Sequence, residues 1–265
     1  MNIIPSHVRA LILDMGGVLW KADSPIGNLS EIFACINARK LRVAFATNNG
    51  TRTPHQNVKL MCRFGLKVEA WQVVTSSLVL AHLLSQDFPN GGYVFAIGEE
   101  GLIRALQEKG FVTLSTKEAG KAQAVAIGLD RLINFEKISE AALLVRRGVP
   151  FYATNPDKTF STPRGEIPGV GSWISVIITA TGINPKYAGK PSPAIIELAC
   201  QRLGIAKEEI LVVGDRLYMD IAAGQAAGCP VALVLSGVSS RDEAEAWKPS
   251  VNIIANDLRT LITGH

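Results

Sequence analysis

The feature that most constrains this chain is the alternation, from end to end, of short apolar runs with amphipathic stretches. Val8–Leu13, Arg42–Ala46, Tyr93–Ile97, Ala124–Ile127, Pro150–Ala153, Ile210–Val213, Val231–Leu235 and Val251–Ala255 read as strands. Most are continuously apolar, the pattern of a parallel sheet whose two faces are both covered by helices. Thr53 followed by Pro54 reads as an N-cap with proline at the first helical position. Gly65, Gly110, Gly148, Gly204 and Gly228 fall where helices should stop. The expected fold is α/β, a doubly wound parallel sheet. Residues 89–184 carry a strand-helix-strand-helix unit of their own, then a loop rich in turn formers, Asn155–Ser172. Two domains follow: a core from residues 1–88 and 185–265, and an inserted α/β domain from 89–184.

Composition excludes several classes. Hydrophobic residues make up 48% of the 265 and charged residues 19%, which rules against disorder and fibrous structure. The formal charge is +4, with Lys and Arg scattered, so neither a nucleic-acid patch nor a membrane patch is predicted. Cys35, Cys62, Cys200 and Cys229 stand alone, without CxxC spacing or a nearby His, and read as small buried hydrophobes in a reducing compartment. Met1–Arg9 lacks the pattern of a secretory leader, and the apolar runs are too short to span a bilayer. A soluble, cytoplasmic protein is expected.

Chemistry concentrates where three apolar strands end. Leu11-Ile12-Leu13 runs into Asp14-Met15-Gly16-Gly17-Val18, Val43–Ala46 into Thr47-Asn48-Asn49-Gly50, and Ile210–Val213 into Gly214-Asp215, with Asp220 five residues later. Open α/β sheets bind ligands beyond the carboxyl ends of their strands, so carboxylates, a hydroxyl and amides would converge on one crevice. One aspartate after a strand is often just a helix N-cap. Three such motifs, with Gly189-Lys190-Pro191 before the third, argue for a site. The set suits phosphoryl transfer through a covalent intermediate. A carboxylate attacks phosphorus, a hard cation takes oxygen ligands, and a hydroxyl, backbone N–H groups and a lysine neutralise the equatorial oxygens.

The order of Asp14 motif, Thr47-Asn48-Asn49, Gly189-Lys190-Pro191-Ser192-Pro193 and Gly214-Asp215-Arg216-Leu217…Asp220 resembles the haloacid-dehalogenase superfamily. It is most similar to the NagD and p-nitrophenyl-phosphatase branch. Ala153-Thr154-Asn155-Pro156-Asp157 and Pro168-Gly169-Val170-Gly171-Ser172 also resemble that branch, so the likeness covers nearly the whole chain. The resemblance implies a magnesium-dependent phosphatase with a haloacid-dehalogenase core and an inserted cap. Asp14 would be the nucleophile. Asp14, the Gly16 carbonyl and Asp215 would hold Mg2+, and Asp220 would orient them. Thr47, Asn48 and Lys190 would bind phosphate, and Asn49 would orient the loop. The loop Asp157–Ser161, Thr159 included, would read the leaving group of a small phosphorylated metabolite. Arg52 and Arg216 lie near the site in sequence, with structural roles equally open. Pairing through the cap into a homodimer also fits the branch.

One position departs from the pattern. The family's first motif is Asp-x-Asp-Gly, whereas this chain has Asp14-Met15-Gly16-Gly17. The second aspartate protonates the leaving oxygen and then activates water. Gly16 retains a carbonyl for a metal but transfers no proton, and general acid–base assistance is typically worth ~10²–10⁴-fold. Three explanations stand: an engineered or erroneous substitution in an ordinary phosphatase, a natural pseudo-enzyme that binds phosphorylated ligands, or a proton donor elsewhere. His7, His55, His82 and His265 all fall outside the motifs. Met219, where relatives usually carry threonine, is a smaller departure. The rival from a different class is thus a non-catalytic phosphate-binding or sensor protein. A dinucleotide-binding reading fails, because Gly169-Val170-Gly171 has Ile174 at the third glycine position and no strand is expected to run into Gly169.

Overall fold

The computed structural model describes residues 3–22, 24–162 and 164–264, so Met1 and His265 lie outside the described residues. The chain divides into two compact units: Met1–Thr47, Pro54–Val74 and Lys190–His265 form the first, and Asn48–Thr53 with Thr75–Gly189 the second. Each is an α/β layer structure, and every segment expected as a strand is one.

In the first unit a six-stranded sheet runs in the order Ile253–Ala255, Val231–Val234, Ile210–Gly214, Ala10–Leu13, Arg42–Thr47, Val73–Thr75. Ala10–Leu13 is buried throughout and lies parallel to both neighbours. A residue in that position is covered on both sides, which is why the strand is apolar without alternation. Leu11, Leu13, Phe45, Leu211 and Val213 pack with Ile32 and Ile36 of the helix Leu29–Ala38 and with Leu258 and Leu261 of the helix Leu258–Thr263. The register is flush: Leu13 lies opposite both Val213 and Phe45. The residues after these strands therefore emerge side by side at one end of the sheet.

The second unit has a parallel five-stranded sheet in the order Lys186–Tyr187, Phe151–Ala153, Ala124–Ile127, Gly92–Ile97, Phe111–Leu114. Its core joins Phe95, Ile97, Val125 and Ile127 to Ile138, Ala141 and Leu144 of the helix Phe135–Arg146 and to Ile174 and Ile177 of the helix Val170–Thr181.

Three expectations need correction. Asn155–Ser172 is not simply a loop, because Thr159–Thr162 and Gly165–Pro168 form an antiparallel hairpin. Gly165–Pro168 is exposed throughout, so no buried apolar face marked it as a strand. That strand does run into Gly169, yet it is a hairpin arm outside the parallel sheet and Ile174 is fully buried, so the dinucleotide reading still fails. The cysteines are not uniformly buried: Cys35 and Cys62 are exposed, whereas Cys200 and Cys229 are buried with their sulfurs 3.8 Å apart. His55 is exposed in the first turn of the helix Pro54–Arg63. No helix among the described residues is long and apolar enough to cross a membrane.

Candidate active site

Asp14, Thr47 and Asp215 stand at the carboxyl ends of three adjacent strands of the first sheet, with Lys190 and Asp220 brought in beside them. Lys190 ties the cluster together. Its Nζ donates to Asp14 Oδ1 at 2.5 Å, to Asp220 Oδ1 at 2.6 Å and to the Ala46 carbonyl at 2.9 Å. The residue is 3% exposed, which an ammonium tolerates only when its donors are matched by charged acceptors.

Asp220 is aimed by the chain that follows Asp215. A π-type turn over Leu217–Ile221 folds back so that Asp220 Oδ2 accepts the N–H groups of Asp215 (3.2 Å) and Arg216 (3.0 Å). Its side chain fills the space that a Cβ on Gly214 would need. Both Asp220 oxygens are thereby engaged within the protein. Asp215 Oδ2 accepts the Val238 N–H at 2.9 Å, and its Oδ1 has no hydrogen bond among the described residues. Asp14 likewise keeps Oδ2 without a protein partner among the described residues.

A second loop, not read from the sequence, holds this arrangement. Ser236 Oγ donates to the Gly17 carbonyl at 2.7 Å, Ser239 N to the Asp215 carbonyl at 3.0 Å, and Leu217 N to Ser239 Oγ at 3.1 Å. A Cβ on Gly237 or Gly17 would collide with the Asp215 carboxylate, and Gly17 also sits at φ +78°. The available signal was a serine- and glycine-rich turn after an apolar strand, which ordinary turns share.

Electrostatics follow from the crowding. Burial pushes the Asp14 carboxyl up to about 7, with Asp220 and Asp215 adding to the rise and Lys190 opposing it. Burial, then Asp220, raises Asp215 to about 6. Burial alone would lower the Lys190 ammonium, but Asp14 and Asp220 hold it above its ordinary range. The cluster thus carries more negative charge than its lysine neutralises.

Asn48 and Asn49 continue the chain from Thr47 but belong to the second unit. Asn48 Nδ2 donates to Asp157 Oδ2 at 3.0 Å, and its carbonyl accepts from Ser76 Oγ (2.7 Å) and Asn155 Nδ2 (2.8 Å). Asn49 Oδ1 accepts both N and Oγ1 of Thr51, closing the loop on itself. Arg52 is exposed. Gly16 is also exposed, and a Cβ built on it meets nothing within 4 Å. The backbone thus leaves room for the side chain that Gly16 lacks.

Comparisons with known proteins agree with this fold. A model described as haloacid dehalogenase-like hydrolase matches residues 11–112, and a second model of HAD-like hydrolases matches residues 187–261. The acid sugar phosphatase of Staphylococcus epidermidis is 35% identical, over 97% of each chain. NagD of Escherichia coli K-12 superposes with a TM-score of 0.87 at 30% identity, covering 95% of this chain and 97% of that one. A glycerol phosphate phosphatase of Mycobacterium tuberculosis, solved with magnesium, gives a TM-score of 0.90 at 34% identity over 96% of this chain and 76% of that one. The chain belongs to the haloacid dehalogenase-like hydrolases, in their NagD-like branch.

The donor set fits the magnesium of this family. Asp14, Asp215 and Asp220 each offer an oxygen, all within 4.8 Å of one another. These are hard ligands, and Asp14 and Asp215 retain an open oxygen each, leaving room for waters around a small cation.

Proposed function

We propose that this chain is a magnesium-dependent phosphatase that cleaves small phosphate monoesters through a phosphorylated Asp14, slowed by Gly16 in place of an acid–base residue. The observation that carries the reading is the Asp14–Lys190–Asp220–Asp215 cluster at the carboxyl ends of parallel strands. Relatives named for sugar phosphates and glycerol phosphate favour a small polyol phosphate as substrate.

Asp14, Asp215 and the Gly16 carbonyl would hold magnesium, which when bound offsets the negative charge of carboxylates and phosphate. Asp14 Oδ2, free of protein partners among the described residues, forms the bond to phosphorus as the ester P–O bond breaks. Lys190, fixed by two carboxylates, puts a positive charge beside the equatorial oxygens, with Thr47 and the N–H groups of Asn48 and Asn49. With glycine at position 16 the leaving oxygen must take its proton from water. The following attack of water on the phospho-aspartate likewise proceeds without a neighbouring base. Nitrophenolate, stable without a proton, suffers less than an alkoxide.

The test is Gly16→Asp, for which the backbone leaves open space. Magnesium-dependent p-nitrophenyl phosphate hydrolysis should rise by ~10²–10⁴-fold. A flat rate in a variant that still binds magnesium and phosphate would favour a non-catalytic phosphate-binding protein on the same scaffold.

A further inference from the structure

Two clefts among the described residues lie away from the cluster at Asp14. One, of about 460 Å³, lies beyond the strands Gly92–Ile97 and Ala124–Ile127 in the second unit. Its charges are consumed internally: Arg131 binds Glu99 through two bonds of 2.7 and 2.8 Å, and Lys137 binds the buried Asp130 at 2.7 Å.

The other cleft, of about 420 Å³, is built differently. It opens in the first unit between the helix Leu29–Ala38, the start of the strand Arg42–Thr47 and the turn around Trp71. Its volume is in the range of small-molecule sites, roughly 300–1,000 Å³. Phe33, Trp71 and the buried Leu66 are among the residues that line the cleft. Both rings are fixed. Phe33 stacks on the core residue Phe45 with centroids 6.0 Å apart, and Trp71 is held by its Nε1–H to Glu69 at 2.8 Å and by Arg202 on its carbonyl at 2.9 Å.

The polar lining is one-sided. Arg42 and Lys67 line the cleft, no carboxylate does, and neither cation forms an ion pair among the described residues. The Arg42 guanidinium lies over the Trp71 ring, 5.9 Å from its centroid, so the ring and a positive charge face the same space. The Asn37 side-chain amide lines it too, without a hydrogen bond among the described residues. Held aromatic faces, two unneutralised cations and a spare amide define one ligand chemistry.

We propose that this cleft is a second ligand site, for a small planar aromatic molecule carrying a carboxylate, sulfonate or phosphate group. The ring lies between Phe33 and Trp71, and the anionic group meets Arg42 and Lys67. The site is distinct from the one at Asp14: Arg42 and Thr47 mark opposite ends of one strand, roughly 17 Å apart at ~3.3 Å per residue. That strand runs from the cleft residues Arg42 and Val43 to the phosphate-site candidate Thr47.

The probes are two dyes of like shape, anionic 8-anilinonaphthalene-1-sulfonate and neutral N-phenyl-1-naphthylamine, titrated by fluorescence into the full chain at low salt. The sulfonate should bind one saturable site roughly tenfold or more tighter than its neutral counterpart. Trp71→Ala should weaken it by about tenfold, and so should Arg42→Gln with Lys67→Gln, which alters only exposed side chains and keeps the test valid if Trp71→Ala fails to fold. Phe135→Ser, at a residue 88% exposed in the second unit, should change nothing. Equal affinity for the two dyes, indifference to the Arg42 and Lys67 changes, or loss of binding on Phe135→Ser would overturn the proposal.

Discussion

At Lys190 one ammonium answers two buried carboxylates, so its removal exposes what the cluster costs. Lys190→Met leaves Asp14 and Asp220 facing each other without a counter-charge, and breaking such a buried arrangement typically costs ~3–5 kcal/mol. Urea unfolding of the metal-free chain should register a loss of that order, and unchanged stability would show that the lysine is not a structural counter-ion. The raised carboxyls have a consequence for metal binding. Magnesium needs the ionised forms, yet burial holds Asp14 at about 7 and Asp215 at about 6 in the metal-free protein. Protons therefore compete with the cation: calorimetric magnesium affinity should be full above pH 7 and fall as pH drops through 7 and then 6, with proton release on binding in between. Affinity that holds constant from pH 8 to about 5 would contradict this. That Asp14 and Asp215 emerge at one sheet end was legible in the sequence, because each stands at the end of an unbroken apolar run, whereas Lys190 and Asp220 were placed beside them by the family resemblance. The open space beside Gly16 was not, since sequence gives the missing side chain but not the room left for it.

Loops rather than strands set the finer geometry. The turn Ser236–Ser239 presses against Asp215 so closely that Gly237 has no room for a Cβ. Gly237→Ala should displace the carboxylate and weaken magnesium binding by roughly 10–100-fold, the usual effect of disturbing a ligand's support. Manganese binding followed by electron paramagnetic resonance would detect it without reliance on turnover. In the second unit, Asp87 at the end of the helix Ser76–Asp87 accepts from Tyr152 O–H at 2.5 Å and Lys186 at 3.0 Å, joining that helix to two strands. The Tyr152 bond, then Lys186, lowers its carboxyl below the ordinary range. The sign is that of a depressed acid: the contribution is present above the unfolded value and is lost as pH falls through the folded one. Asp87 is 41% exposed, so Asp87→Asn should cost no more than ~1 kcal/mol, visible as a shifted denaturation midpoint near neutral pH that narrows in acid. The strands at Ala10, Arg42 and Ile210 were legible because burial on both faces makes them uniformly apolar. The hairpin Thr159–Thr162 with Gly165–Pro168 was not, because Gly165–Pro168 is exposed throughout and carries no buried apolar face. Val73–Thr75 is buried but only three residues long, too short for any periodicity to declare itself.

Across the whole molecule, two α/β units share one chain, and the first carries both the carboxylate cluster and the Trp71 cleft. A cation bound only by the folded cluster must stabilise the fold, by ~2.7 kcal/mol at a hundredfold excess over its dissociation constant. The melting temperature should rise with magnesium and return on chelation, and this response should vanish in Asp215→Asn. The central claim of the proposed function is that Asp14 itself takes the phosphoryl group, and a second step slowed by Gly16 would let that species accumulate. Mixing the chain with p-nitrophenyl phosphate and magnesium, quenching in acid and mapping the peptides by mass spectrometry reads it directly. A phosphoryl group on Asp14, absent without magnesium and in Asp14→Asn, is the predicted result. Release of nitrophenolate with Asp14 unmodified, or undiminished release from Asp14→Asn, would contradict the account.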